Sequence, residues 1–348
     1  MINGIQQVGL GVPDVKEAFR WYRIHFGMDL PVFEEAAVAE LMLPYTGGEP
    51  RARHAILAAT LQGGGALEIW QYTEREPEGP KFEPRLGDLG IFSVRMRAYD
   101  VAEAWRWFEG RGLRSGELSR APNGSLHFHL EDLNGQHIDV VRGERWFSGS
   151  GYPVGGVSGC LIGVSDIDRA RALYSEVLGY DWVLYDEAGV FEDFRGLPGG
   201  EEPVRRVLLT HSRERRGAFS EWIGRSSIEL VQALEREPRR IFDGRLWGDI
   251  GFIHLCFDVS RMETLKAACR ARGFEFTVDS AESFDMGEAA GRFAYIEDPD
   301  GTLIEFVETH KLPLVKKLGW YLDLRGRPSD RPLPRWMIRM LSLSRVKD

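Results

Sequence analysis

Two side chains of this 348-residue chain could do chemistry from within otherwise apolar strands. Glu305 sits in Leu303-Ile304-Glu305-Phe306-Val307, and His254 in Gly251-Phe252-Ile253-His254-Leu255-Cys256-Phe257. Alternate residues of an extended segment share a face, so Leu303, Glu305 and Val307 project together and Ile304 and Phe306 oppose them. A carboxylate buried in such a strand needs a cation, a metal ion or a set of donors. An imidazole and a carboxylate in the first and last strands of one folding unit are a candidate pair of divalent-metal ligands.

The elements that must position them are legible. Asp298-Pro299-Asp300-Gly301 is a tight turn, with Pro299 presetting one φ and Gly301 tolerating a positive one. It joins the strand ending at Glu297 to the strand carrying Glu305. Upstream, a helix from Ser260 to Ala271, a stop at Gly273 and a further strand separate the two chemical residues. The unit is therefore strand, helix and three strands, or βαβββ.

The same unit recurs. Ile5 to Val12 is a strand, Asp14 caps a helix that buries Val15, Ala18, Phe19, Tyr22 and Phe26, and Gly27 stops it. Val157 to Val164, Asp166, a helix burying Ile167, Ala170, Tyr174 and Val177, and Gly179 repeat that pattern. These copies close on Ala66-Leu67-Glu68-Ile69-Trp70 and Ser227-Ile228-Glu229-Leu230-Val231, each with one Glu in an apolar strand. A further copy opens at Gly90 and ends in Glu131-Asp132-Leu133-Asn134-Gly135, then a strand centred on Asp139. Four βαβββ modules thus form two pairs, divided by the Gly/Ser/Pro-rich segment 147–156. An α+β architecture is expected, in which curved sheets covered by helices enclose a cleft.

Composition bounds the rest. Hydrophobic residues at 43% and charged residues at 28% are those of a soluble globular chain of about two domains. The net charge of −9 argues against nucleic acid as partner. Cys160, Cys256 and Cys269 are scattered among apolar residues and suit reduced core thiols. The N-terminus carries no basic segment and no apolar run reaches the roughly 20 residues of a membrane span, so a cytoplasmic location is expected. From His310 onward the chain has ten Lys/Arg and three Asp. Within this basic tail, 333–341 reads as a short helix with a stripe of Trp336, Met337, Met340 and Leu341. Docking on the chain's own acidic body or on a second protomer is expected, with an anionic membrane surface as the alternative. His127 and His129 share one strand face, which a metal pair or a solvated strand would each explain.

The paired helices ending Tyr-x-x-x-x-Gly (Tyr22 to Gly27, Tyr174 to Gly179), together with Asp-Pro-Asp-Gly-x-x-x-Glu, resemble the vicinal oxygen chelate superfamily of glyoxalases, epimerases, extradiol dioxygenases and bleomycin-resistance proteins. The resemblance covers residues 3 to 310. It implies tandem domains at 1–146 and 157–310, with 311–348 as an extension. Family sites draw ligands from the first and last strands of paired modules. In the C-terminal pair these positions are Gly159, Glu229, His254 and Glu305; in the N-terminal pair they are Gln7, Glu68, Ser93 and Asp139. The resemblance therefore implies a Zn, Ni, Co, Mn or Fe(II) ion on Glu229, His254 and Glu305. Glu229 and Glu305 are then the catalytic carboxylates, Gly159 leaves room for substrate, and Gln7 and Glu68 orient a polar ligand in a degenerate N-terminal site. One His and two carboxylates fit a glyoxalase- or epimerase-like lyase or isomerase acting on a small α-oxygenated carbonyl compound. A ring-cleaving dioxygenase would need two His and one carboxylate. A drug-sequestering binding protein is the non-catalytic alternative.

Overall fold

The structure is a computed structural model that describes residues 1–113, 116–149, 151–281, 284–285, 290–315 and 319–346. Parts of the extension, residues 316–318 and 347–348, lie outside these. Module I comprises β1 (Ile2–Gly11), α1 (Val15–Phe26), β2 (Leu30–Val38), β3 (Ala52–Ala59) and β4 (Ala66–Tyr72). Module II comprises β5 (Gly90–Ala98), α2 (Val101–Glu109), β6 (Ser119–Arg120), β7 (Leu126–Glu131) and β8 (His137–Arg142). Module III comprises β9 (Val154–Gly163), α3 (Ile167–Tyr174), β10 (Trp182–Gly189), β11 (Val204–Thr210), the one-turn α4 (Ser220–Ile223) and β12 (Ser227–Ala233). Module IV comprises β13 (Gly251–Val259), α5 (Met262–Arg270), β14 (Val278–Asp279), β15 (Phe284–Asp285), β16 (Ala290–Glu297) and β17 (Leu303–Val315). The extension adds β18 (Trp320–Asp323) and α6 (Arg335–Met340).

The local signals act as their chemistry requires. Asp14 accepts hydrogen bonds from the Lys16 and Glu17 amides and starts α1; Gly27, at φ 64°, ends it in the left-handed conformation. Asp298 Oδ1 accepts the amides of Asp300 (2.9 Å) and Thr302 (2.8 Å), which shapes the turn before β17. The other oxygen of Asp298 accepts the Tyr174 hydroxyl at 2.9 Å, and Asp132 accepts the Tyr22 hydroxyl at the same distance. The tyrosine of each repeated helix thus locks module I to II and III to IV.

The sheets follow a different pairing. A ten-stranded sheet runs β14-β16-β17-β13-β1-β4-β3-β2, with β15 and β18 alongside, and so joins module I to module IV. An eight-stranded sheet runs β10-β11-β12-β9-β5-β8-β7-β6 and joins module II to module III. In each, two first strands meet antiparallel at the centre, β1 with β13 and β5 with β9, flanked by parallel last strands. The expectation that each sheet pair would come from consecutive modules is corrected here: module I shares its sheet, and hence its cleft, with module IV.

One core fills the space between the sheets' inner faces and the helices, and contains Val8, Leu10, Val94, Ile162, Leu255 and Phe306 with the buried sides of the long helices. A second apolar cluster lines the opposite face of the ten-stranded sheet. Leu333, Ile338 and Leu341 of the extension are buried in that second cluster. Trp336 is exposed, so the buried stripe of α6 is centred on Ile338 rather than on the tryptophan.

Candidate metal centre

The central strands of the ten-stranded sheet aim four polar side chains at one point. Gln7 comes from β1, Glu68 from β4, His254 from β13 and Glu305 from β17. Register dictates the meeting: Gly9 faces His254 across the antiparallel pair, and β4 and β17 run parallel to β1 and β13 on either side. Gly9 is needed there, because a Cβ would stand inside van der Waals contact of the imidazole.

Ligand atoms of Glu68, His254 and Glu305 lie within 4.8 Å of one another. His254 is fully buried, and its Nε2 lies 3.1 Å from Glu305 Oε2 and 3.4 Å from Glu68 Oε2. Among the described residues neither ring nitrogen finds a hydrogen-bond partner at an acceptable angle, despite these separations. Gln7 Nε2 donates to Glu68 Oε2 at 3.0 Å and, more loosely, to Glu305 Oε2 at 3.4 Å. Burial acts to lower the His254 pKa, but the carboxylates of Glu305 and Glu68 outweigh it and raise the value to about 9. Trp247 stacks parallel to His254, with ring centroids 6.3 Å apart and planes 12° apart, and Tyr295 meets it edge-on at 5.6 Å. Burial, then the charges of Glu305 and Glu68, hold the Tyr295 phenol protonated. Above this floor opens a cleft of about 370 Å³.

The set suits a divalent ion. A buried imidazole with unbonded nitrogens beside two carboxylates is a donor set of the right chemistry. The amide of Gln7 can present its oxygen instead of its NH2 by a simple rotation. Formal charge agrees: protonated His254 with two carboxylates carries −1, and exchanging its proton for a divalent ion brings the group to zero.

Glu229 is not part of this group. It lies in the eight-stranded sheet, paired along β12 with β9 and β11. There Arg206 Nε donates to its Oε1 at 2.6 Å, Tyr185 Oη donates to the same atom at 2.7 Å, and Arg95 lies 3.6 Å away. Arg206 also donates to Asp193 at 2.7 and 2.9 Å, and Arg95 to Asp139 at 3.0 Å. His127 bridges Asp139 (2.8 Å) and Asp193 (3.1 Å). Burial would lower the His127 pKa, but those two acids raise it to about 9. Three cations, Arg95, Arg206 and His127, therefore balance three anions, Asp139, Asp193 and Glu229, with no ion required. His127, His129 and Asp139 also lie within 4.8 Å of one another, but both His127 nitrogens are already engaged. His129 is buried, not solvated, and burial lowers its pKa to about 4.

Gly159 is corrected as well. Any side chain there would strike the carbonyl of Ser227 on the neighbouring strand, so the residue permits close strand packing and borders no substrate space at His254. Sequence reasoning therefore set Glu229 in the place of Glu68 and missed the arginine network. Its signal was two arginines, Arg95 and Arg206, inside strands as apolar as those of His254 and Glu305.

Family comparisons agree with this architecture. Residues 4–140 and residues 160–295 each match a model described as Glyoxalase/Bleomycin resistance protein/Dioxygenase superfamily. The chain belongs to this superfamily. The two matched regions cover most of modules I and II and most of modules III and IV, and a Tyr–Asp contact links the modules of each pair. Among solved structures, glyoxalase I from Zea mays aligns over 88% of this chain and 92% of its own, with a TM-score of 0.54 and 14% identity. A candidate dioxygenase from Bacillus subtilis aligns over 88% and 85%, with a TM-score of 0.53 and 13% identity. Identities this low establish the shared fold. Comparison with curated proteins gives no significant match. Among the described residues no helix is long and apolar enough to cross a membrane.

Proposed function

We propose that this superfamily member is a metal-dependent lyase or isomerase acting on a small α-oxygenated carbonyl compound, with its single centre on Gln7, Glu68, His254 and Glu305. The convergence of these four side chains at the base of a cleft carries the reading. A divalent ion held there supplies Lewis acidity toward substrate oxygens. The chain's own groups supply the rest. Glu305 pairs with Tyr295 across β17 and β16, so it is the carboxylate with a protonated phenol at hand. Its Oε2 is the atom assigned to take a proton from a substrate carbon and return it to the neighbouring one. The protonated phenol of Tyr295 stands beside it as a donor toward developing negative charge. Only one His is present, so the ligand set does not favour oxygen activation, which uses two.

The test is metal analysis of the purified protein, followed by turnover of hemithioacetals, α-hydroxyketones and catechols with Ni, Co, Zn, Mn and Fe(II). One ion per chain and solvent deuterium entering a carbonyl product are expected. Catechol cleavage with oxygen uptake would instead establish a dioxygenase.

A pH dependence follows from His254. In the metal-free protein its pKa of about 9 lies above the ordinary histidine value, so protonated His254 stabilises the fold below about pH 6.5. That contribution is lost as pH rises through about 9. Metal must displace this proton, so affinity should climb about tenfold per pH unit up to that point. Titration calorimetry at pH 7 in two buffers of different ionisation enthalpy should show close to one proton released per ion. Release of none would mean that His254 is not a ligand.

The basic extension is proposed to clamp the chain's own body. Supporting this, the Leu333 amide donates to the Ala218 carbonyl at 2.9 Å and the Val346 amide to the Asp29 carbonyl at 2.8 Å. Arg335 reaches the Phe147 carbonyl. Deleting residues 331–348 uncovers the surface that Leu333, Ile338 and Leu341 bury, and should lower Tm by about 5 °C or more in a melting experiment. Unchanged Tm, with vesicle binding confined to the full chain, would transfer the tail to a membrane role.

A further inference from the structure

We propose that the cleft takes an uncharged ligand with a largely apolar, aromatic body and its reactive oxygens at one end, rather than a conjugate carrying carboxylates or phosphates. This rests on the metal-centre reading above for the oxygen-bearing end alone; the body follows from the walls. Those walls are Phe33, Leu57, Phe219, Trp222 and Phe293, and about 370 Å³ suits a drug-sized molecule. Polar groups concentrate on the floor, at Gln7, Glu68, Tyr295 and Glu305.

Charge decides against an anionic tail. Among the described side chains lining the walls the one cation is Arg53, and it is already spent. Its guanidinium donates to the Glu35 carboxylate at 3.0 Å and to the Glu35 carbonyl at 3.3 Å. A ligand carboxylate or phosphate extending along the walls would face Glu40 and the already paired Arg53 and Glu35, with no unengaged cation among those side chains. An apolar body meets no such penalty. At the mouth, Val38 and Leu41 carry the apolar wall out to solvent, 50% and 46% exposed. Trp247 also lines the cleft, and among the described residues its buried indole N–H has no protein partner.

The test uses metal-loaded full-length protein with its metal content counted, and follows quenching of tryptophan fluorescence. The probes are 2-hydroxyacetophenone, its para-isopropyl derivative and its para-carboxylate derivative. Isopropyl should tighten binding at least about tenfold over the parent, and the carboxylate should weaken it at least about tenfold. The exposed rim variant Val38→Lys should narrow the gap by improving carboxylate binding, without loss of metal. A carboxylate probe that binds as tightly as the isopropyl one overturns the proposal, and with one ion still bound the metal centre stands. If no ion is held yet the apolar preference persists, the centre is refuted and the body-class inference survives.

Discussion

His254→Ala is expected to abolish stoichiometric divalent-metal binding and, with it, turnover. The imidazole is fully buried, is the single nitrogen ligand of the proposed set, and holds its position against Gly9, Trp247 and Tyr295. Losing an outer-shell partner of a metal site costs about 10- to 100-fold in affinity, and losing a direct ligand should exceed that. Glu305→Gln should retain more affinity, since an amide oxygen still coordinates, but should stop proton transfer at Oε2. Metal analysis after dialysis, with melting curves to show that each variant is folded, reads the two outcomes apart. One equivalent of ion retained by a folded His254→Ala, Glu305→Ala double variant would show that the metal sits elsewhere.

Arg206→Met should be the most damaging substitution for stability outside the cleft. Its guanidinium is buried against Glu229 and Asp193 and stands 3.6 Å over the Phe194 ring. Removing one partner of a buried ion network leaves uncompensated charge and costs about 3–5 kcal/mol. That corresponds to a Tm decrease on the order of 10 °C. Metal stoichiometry should not change, because the network lies in the other sheet. Glu229→Gln gives the sharper contrast: it should lower Tm and leave the ion count at its wild-type value. Loss of metal in that variant would restore Glu229 to the ligand set and refute the assignment to Glu68.

The repeats were readable because their signals are local. Asp14, Gly27, the helical stripe through Tyr22 and the turn at Asp298 each act within a few residues, and the structure uses each as its chemistry suggests. Which modules share a sheet was not readable in that way. Four similar modules offer four similar edges, and each pairing satisfies the same backbone hydrogen bonds. What separates the solutions is side-chain fit across the seam. Gly9 leaves room for the His254 ring, and Arg95 spans to Asp139 and Glu229. With the modules taken in consecutive pairs, His254 drew Glu229 as its partner. With the first and last modules joined, the same residues resolve into one candidate ligand set and one self-neutralised network.

The two sheets are nested along the chain like brackets, and this orders events during synthesis. The strands of the eight-stranded sheet all lie between Gly90 and Ala233, so that layer can close while the ribosome is still making module IV. Module I emerges first but must wait longest, since Gln7 and Glu305 are 298 positions apart. Until β13 arrives, β1 presents an unpaired edge of ten residues, a template for joining another copy. The candidate centre thus cannot form until module IV has been made. A nascent or truncated chain can hold a finished inner layer and still have no candidate cleft, and two such chains could complete each other's by exchanging first modules.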